Sequence, residues 1–348
     1  MFDTWKLHDF APGDGIQKGV NREDYDDSAW INVDVPGDVH VALLKAGRIE
    51  DPFYDRNEAK CAWVQEREWW YRLRFTVPPQ PLQDDERWQL VFHGLDTFAT
   101  IWLNGQEIGK SSNMFREAVF DVSSLLRPGQ TNTLAVCFDR HLDHVGSMTV
   151  RNWGGRDLPR VAMRKAQFSY GWDWGPVLPT IGIWRPVELR RQRGAAITGV
   201  HFSTLEIAPD QSKALVATTV EIEPFATDES LTAALTLTSR DKRGRVETAK
   251  GEVTFNGRRL PKPIKTSEVL TDTVYLVVEK PKLWWTHDLG QPALYDLTVT
   301  LKQGDAALAS HQQKVGIRTI ALDQSPDPAE RGTRFFRFVL NGVPIFAR

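Results

Sequence analysis

The hydrophobic and polar positions of this chain fall into short runs of β character. Trp69-Trp70-Tyr71-Arg72-Leu73-Arg74-Phe75-Thr76-Val77 is one such run, and Pro78-Pro79 closes it, because proline cannot donate to a strand ladder. Residues 87–93 form another candidate strand. Residues 98–103 run into Asn104-Gly105, a dipeptide that favours a tight hairpin turn, and Gln106-Glu107-Ile108-Gly109 returns from it. Residues 133–138 and 186–190 complete this set. Between them, residues 38–46 give the one convincing short helix, with Asp38 as its N-cap.

Around Arg190-Arg191-Gln192-Arg193-Gly194 the composition shifts. Aromatic residues thin out, and threonine, valine and alanine take over. Regularly spaced strands are predicted at residues 214–222, 231–239, 246–255, 273–278 and 294–301, the rhythm of an immunoglobulin-like sandwich. Residues 239–245 carry the charge of a solvated hairpin tip. There is no βαβ alternation, no repeat of fixed period and no low-complexity segment. The expected fold class is all-β, with two antiparallel β domains in series. Their expected extents are 1–193 and 194–322, followed by a tail, 323–348. That tail is a hairpin through Asn341-Gly342 followed by a fresh apolar strand, Val343-Pro344-Ile345-Phe346. An unpaired apolar edge is an aggregation liability, so the tail reads as the entrance to a further domain.

The 348 residues allow two or three domains, and the apolar fraction of 41% and charged fraction of 25% are those of a soluble globular chain. The formal net charge is −2, which gives no electrostatic case for binding nucleic acid or an anionic membrane. Cys61 and Cys137 are the only cysteines and are expected as two buried thiols. No apolar run approaches the roughly 18–20 residues of a membrane span. Met1 leads straight to Trp5-Lys6-Leu7 without the charged and apolar regions of a signal peptide. The expected location is cytoplasmic, or extracytoplasmic if the start has been trimmed to a mature one. Eleven of the thirteen tryptophans lie at or before Trp184, which marks the two halves as different domains.

The candidate chemistry lies in Gly171-Trp172-Asp173-Trp174-Gly175-Pro176. One carboxylate sits between two indoles, and glycine and proline fix the backbone on both sides. An indole face can stack on a sugar ring while a carboxylate accepts its hydroxyls. The same residues also suit a buried tryptophan corner with a capped turn, and residue chemistry alone leaves both readings open.

Other pieces accompany this run in order. Trp5-Lys6-Leu7 opens the chain, and Val35-Pro36-Gly37-Asp38-Val39-His40 leads into the helix. Asp51-Pro52-Phe53-Tyr54, Asn57-Glu58, Trp63 and Trp69-Trp70-Tyr71 follow. Gly94-Leu95-Asp96-Thr97 precedes the Asn104-Gly105 hairpin, and Arg164-Lys165-Ala166-Gln167-Phe168 precedes the Trp-Asp-Trp run. Gly182-Ile183-Trp184, Leu283-Trp284-Trp285, Pro292-Ala293-Leu294-Tyr295 and Val315-Gly316-Ile317-Arg318 complete the set. With these pieces the chain resembles glycoside hydrolase family 2, most closely its β-mannosidase branch, over essentially its whole length. The Gly-Trp-Asp-Trp-Gly-Pro run is specific for that branch, and the hairpin and Gly-Ile-Arg pieces are general to the family.

The resemblance implies a jelly-roll, galactose-binding-like sugar-binding domain, then an immunoglobulin-like sandwich, then a TIM barrel. Arg348 resembles the residue just before that barrel. Retaining glycosidases use two carboxyl groups about 5–5.5 Å apart, and in this family both are barrel glutamates. The expectation is therefore that this chain carries no catalytic residue, although Asn57-Glu58 superficially resembles the acid/base motif. What remains is an accessory role: the first domain lends residues to the pocket for a terminal β-mannosyl group. Asp173 is the expected hydroxyl acceptor and Trp172 a wall. Trp174 joins the substrate-binding set, with packing as its competing role, and Asn57 is a weaker polar candidate. Trp284-Trp285 is expected in the sandwich core or an interface; the following Thr286-His287-Asp288 departs from the commoner proline-containing version. Expected partners are a β-mannoside or oligosaccharide and the barrel domain, with self-association of an apolar barrel-facing surface. A free-standing carbohydrate-binding or interaction module is the alternative, as is kinship with the β-galactosidase or β-glucuronidase branches.

The remaining constellations are weaker. His141-Leu142-Asp143-His144 holds two imidazoles, but the eight histidines are scattered and form no ligand set, so no metal is expected. Gly154-Gly155 lacks a following phosphate-binding helix, and no nucleophile elbow frames a serine. No cofactor is expected.

Overall fold

The strand Glu68–Thr76 explains the aromatic density of the first half. Trp69, Tyr71, Leu73 and Phe75 point into one buried core, together with Trp5, Leu90, Phe92, Ile101 and Ile183. Trp70, on the opposite face, belongs to a second buried layer with Phe10, Trp30 and Trp102. Its ring stacks on Trp102 with centroids 5.0 Å apart. Over residues 68–73 this strand is covered on both faces and has no solvent side, so strict alternation disappears there. Arg72 would be an unpaired buried charge in that second layer. It is instead clamped by Asp27 at 2.8 Å and by the carbonyl oxygens of Val20 and Arg22.

The computed structural model describes residues 4–145, 159–172, 174–241, 244–259 and 268–346. The chain divides into two units, residues 1–83 with 87–191 and residues 84–86 with 192–348. In the first, a six-stranded antiparallel sheet runs Ile31–Asp34, Thr4–Phe10, Glu68–Thr76, Thr131–Phe138, Ala99–Leu103, Gln106–Ser111. A second sheet has the order Val187–Arg193, Glu86–Phe92, Ala118–Asp121. The Asn104-Gly105 turn joins Ala99–Leu103 to Gln106–Ser111 as expected, with Asn104 at φ 51° and Gly105 at φ 79°.

The helix expected at residues 38–46 is Val39–Lys45, and the Asp38 carboxylate caps it by accepting from the N–H of His40 and Val41. It is not the sole helix, because Asp14–Gln17 and Asn57–Lys60 are also helical. Four-residue turns are too short to carry a helical period, which is why the sequence pattern missed them.

The second unit is a sandwich of two antiparallel sheets. One holds Ala195–Ile207, Lys213–Pro224 and Leu270–Glu279; the other holds Gly244–Phe255, Leu231–Asp241, Tyr295–Gln303 and Ala306–Val315. Here alternation is clean. Leu231, Ala233, Leu235 and Leu237 are buried, and across the ladder Leu235 pairs with Val299 and Leu237 with Leu297. Val216, Val220, Ile222, Val274, Leu276 and Val278 come from the other sheet to the same core. Each such side chain contributes about 1.5–3 kcal/mol on leaving water. Trp285 packs against this core, and the Arg318 guanidinium lies 4.6 Å over the Trp284 ring. Residues 320–345 add a separate three-stranded sheet, Ile320–Asp323, Arg337–Leu340, Val343–Ile345. Cys61 and Cys137 are free and buried.

Candidate functional site

The residues on either side of Asp173 include two short paired strands in the first unit. Tyr170–Trp172 pairs antiparallel with Gly175–Val177, with Trp172 opposite Gly175 and Tyr170 opposite Val177. Gly171 sits at φ 82°, and a Cβ there would lie 2.6 Å from the Val177 side chain, so only glycine closes this ladder. Trp172 is 67% exposed and Trp174 83% exposed. Their rings lie 5.9 Å apart, tilted by 53°. The buried tryptophan corner is therefore excluded: both indoles face solvent and neither belongs to a core. Asp173 lies outside the described residues.

Beneath the hairpin lies a buried ionic cluster. The Lys165 ammonium sits 2.5 Å from Asp96 Oδ1 and donates to the Thr180 carbonyl at 2.5 Å. Thr180 Oγ1 donates to Asp96 Oδ2 at 2.6 Å, and Thr97 Oγ1 donates to Asp96 Oδ1. Burial pushes the Lys165 amine below its ordinary range, while the Asp96 charge pulls it back up. His141 packs edge-on to Tyr170 at 5.6 Å. Burial, reinforced by the Lys165 charge, holds its imidazole down at about 4, so it is neutral at physiological pH. Burial raises the Tyr170 phenol. The His141 Nε2, Tyr170 hydroxyl and Arg160 Nε atoms are buried without a hydrogen-bond partner among the described residues. His144 turns elsewhere, 2.9 Å from Asp139, so the two imidazoles of the His-Leu-Asp-His run serve different partners.

The hairpin is fastened at several points. Leu178 N–H donates to the Ser169 carbonyl at 2.9 Å. The Arg160 guanidinium donates to the Tyr170 carbonyl at 2.9 Å and covers the Tyr170 ring. The Ile181 N–H donates to Asp38, whose carboxylate also caps the helix Val39–Lys45. Burial would raise the Asp38 carboxyl, but the His40 contact and two backbone N–H groups outweigh it and hold it low. Val177 N–H donates to Glu58 Oε1 at 2.7 Å.

Asn57 is 8% exposed, and its Nδ2 donates to the Asp51 carbonyl at 3.0 Å. Of the four sequence candidates, Trp172 and Trp174 come together at the surface, and Asn57 lies inside the adjoining turn. Beside the hairpin opens an apolar cavity of about 530 Å³. Phe53, Phe168, Trp174 and Leu178 line it, with Asp38 and Thr180 among its few polar members. Sequence reasoning missed Glu58 as a structural partner and missed the Lys165–Asp96 pair. Asp96, between Leu95 and Thr97-Phe98, was a charge beside apolar residues that would need a counter-charge if buried, but Lys165 stands next to Arg164 and near Gln167, so no local signal named it as the partner.

Residues 17–185 match the family model described as glycosyl hydrolase 2 galactose-binding domain-like, and residues 200–318 match the model of glycosyl hydrolases family 2. Together the two matches span most of the chain. Beta-mannosidase B of Emericella nidulans is 34% identical over 93% of this chain, and that of Aspergillus oryzae is 33% identical over 95%. The chain spans 36% and 38% of the length of these two relatives. Among solved structures, the beta-D-mannosidase of Dictyoglomus thermophilum superposes with a TM-score of 0.82 at 28% identity. It is matched by 99% of this chain, which covers 39% of that one. The exo-chitosanase CsxA of Amycolatopsis orientalis, with a TM-score of 0.70 at 20% identity, shares the fold.

Proposed function

Because the chain belongs to glycoside hydrolase family 2, with its galactose-binding-like domain and its sandwich domain, we propose that it is the non-catalytic part of a retaining exo-β-mannosidase. In this reading the first unit completes the pocket for a terminal β-D-mannosyl residue. The observation that carries it is the exposure of Trp172 and Trp174 on a hairpin fixed from below. Two solvent-facing indoles cost free energy unless something covers them, and a pyranose offers the matching apolar face. Asp173, placed between them by sequence, supplies an acceptor for sugar hydroxyls. The relatives named beta-mannosidase, at about one third identity, support mannose over other sugars.

The two barrel glutamates that would act as acid/base and nucleophile belong to the remaining length that the relatives have and this chain does not span. The apolar cavity beside Trp174 and Phe168 supports contact with a further protein surface. Sequencing the coding frame past Arg348 tests this reading. Continuation into a barrel with two strand-end glutamates, and hydrolysis of p-nitrophenyl β-mannoside by the whole product, are the expected results. A stop codon directly after Arg348 would sink the enzyme reading for this product.

A further inference from the structure

The hairpin that carries the two indoles has little of its own to hold it. Each strand is three residues long, and a two-stranded hairpin of that size is marginal in water. The two indoles gain little from burial, since Trp172 and Trp174 are both exposed. Its orientation must therefore come from ties to the body of the unit. Arg160 holds the first strand at the Tyr170 carbonyl, and Ser169 pairs with Leu178 just outside the hairpin. Lys165 acts further down, at Thr180. The returning strand is tied by the carboxylate of Glu58, which accepts from Val177 N–H across 119 residues of chain.

Glu58 is itself rigidly placed. It lies in the helical turn Asn57–Lys60. Asn57 anchors that turn twice, with its side chain donating to the Asp51 carbonyl and its N–H donating to the Tyr54 carbonyl. The Glu58 carbonyl accepts from Cys61 N–H at 2.9 Å, closing the turn. An ionised acceptor on a backbone N–H makes a bond about twice as strong as a neutral one. Glu58 thus transfers the rigidity of residues 51–61 to the strand Gly175–Val177.

We propose that Glu58 is a positioning residue, setting the orientation of the Trp172 and Trp174 indoles through the Val177 N–H. The value of that orientation for sugar recognition rests on the function proposed above; the tie itself does not. Glu58 touches no reacting atom in this scheme, and Asn57 acts behind it as its anchor.

The test uses the 348-residue chain labelled with 5-fluorotryptophan, with the two ¹⁹F signals assigned through Trp172→Phe and Trp174→Phe. Glu58→Ala is expected to shift or broaden those two signals and leave the other indoles and the melting temperature in place. It should also speed Val177 amide exchange by about tenfold or more, the loss expected for one charged hydrogen bond. Glu58→Gln, whose side-chain carbonyl can still accept, should restore both readouts. Unchanged Trp172 and Trp174 signals in Glu58→Ala would overturn the proposal. So would equal disturbance of all the indoles, or a Glu58→Gln variant as perturbed as the alanine. Asp173→Ala in the product of the whole coding frame separates the two readings: if it leaves hydrolysis of p-nitrophenyl β-mannoside intact, the sugar role fails while the Glu58 tie stands on its own signals.

Discussion

Lys165 and Asp96, 69 residues apart in sequence, form an ion pair at 2.5 Å with side chains only 1% and 2% exposed. Removing one partner leaves the other charge buried and uncompensated, which costs about 3–5 kcal/mol. Lys165→Met is expected to lower the unfolding free energy of the first unit by that amount in urea titration. The double variant Lys165→Met/Asp96→Leu should recover much of the loss, because an apolar pair has no charge to desolvate. A single variant that costs less than about 1 kcal/mol, the range of an exposed pair, would show that the cluster is hydrated.

His141 gives the protein a stability slope on the acid side. An exposed imidazole in the unfolded chain takes a proton near pH 6.5, whereas buried His141 resists it down to about 4. Between those values the unfolded chain binds more protons than the folded one, so stability falls as pH drops through this window. The full loss from this group is about 3 kcal/mol, reached below the folded value. Lys165 and Arg140 oppose protonation, and Asp96 and Asp143 favour it. Denaturant unfolding at several pH values should show a shallower slope between pH 7 and 4.5 in His141→Phe than in the parent. Parallel slopes would mean that His141 titrates normally.

The groove lined by Phe53, Phe168 and Trp174 leaves large apolar side chains in water, with Phe53 78% and Phe168 83% exposed. Apolar surface of this kind drives association. The isolated chain should show concentration-dependent self-association by sedimentation velocity, and Phe53→Ser/Phe168→Ser should shift it towards monomer. A parent chain that stays monomeric across the accessible concentration range would contradict this.

The β character of the chain was legible because its strands are short, β-branched or aromatic, and punctuated by Pro78-Pro79 and Asn104-Gly105. The helix after Asp38 was legible from its cap. The sandwich was clearest, because Leu231 to Leu237 alternates without interruption. The covered second face of Glu68–Thr76 was not, since Trp70 and Arg72 meet partners that the local pattern cannot name. The site was half legible. Trp172 and Trp174 stood out by their own chemistry, and the structure places both at the surface. Glu58, Lys165 and Asp96 did not, because their significance lies in contacts across 69 to 119 residues. Asn57 looked like a polar loop residue and is an internal brace.

The most direct measurement is kcat/KM for p-nitrophenyl β-mannoside, comparing Asp173→Ala with the parent in the product of the whole coding frame, on the function proposed above. A hydrogen bond between a carboxylate and a sugar hydroxyl is worth about 1.5–3 kcal/mol, which corresponds to a loss of roughly ten- to hundredfold. Such a loss with an unchanged melting temperature is the predicted result. A variant within about twofold of the parent, well inside the value of one neutral hydrogen bond, would contradict a role for the Trp172–Trp174 hairpin in holding the sugar.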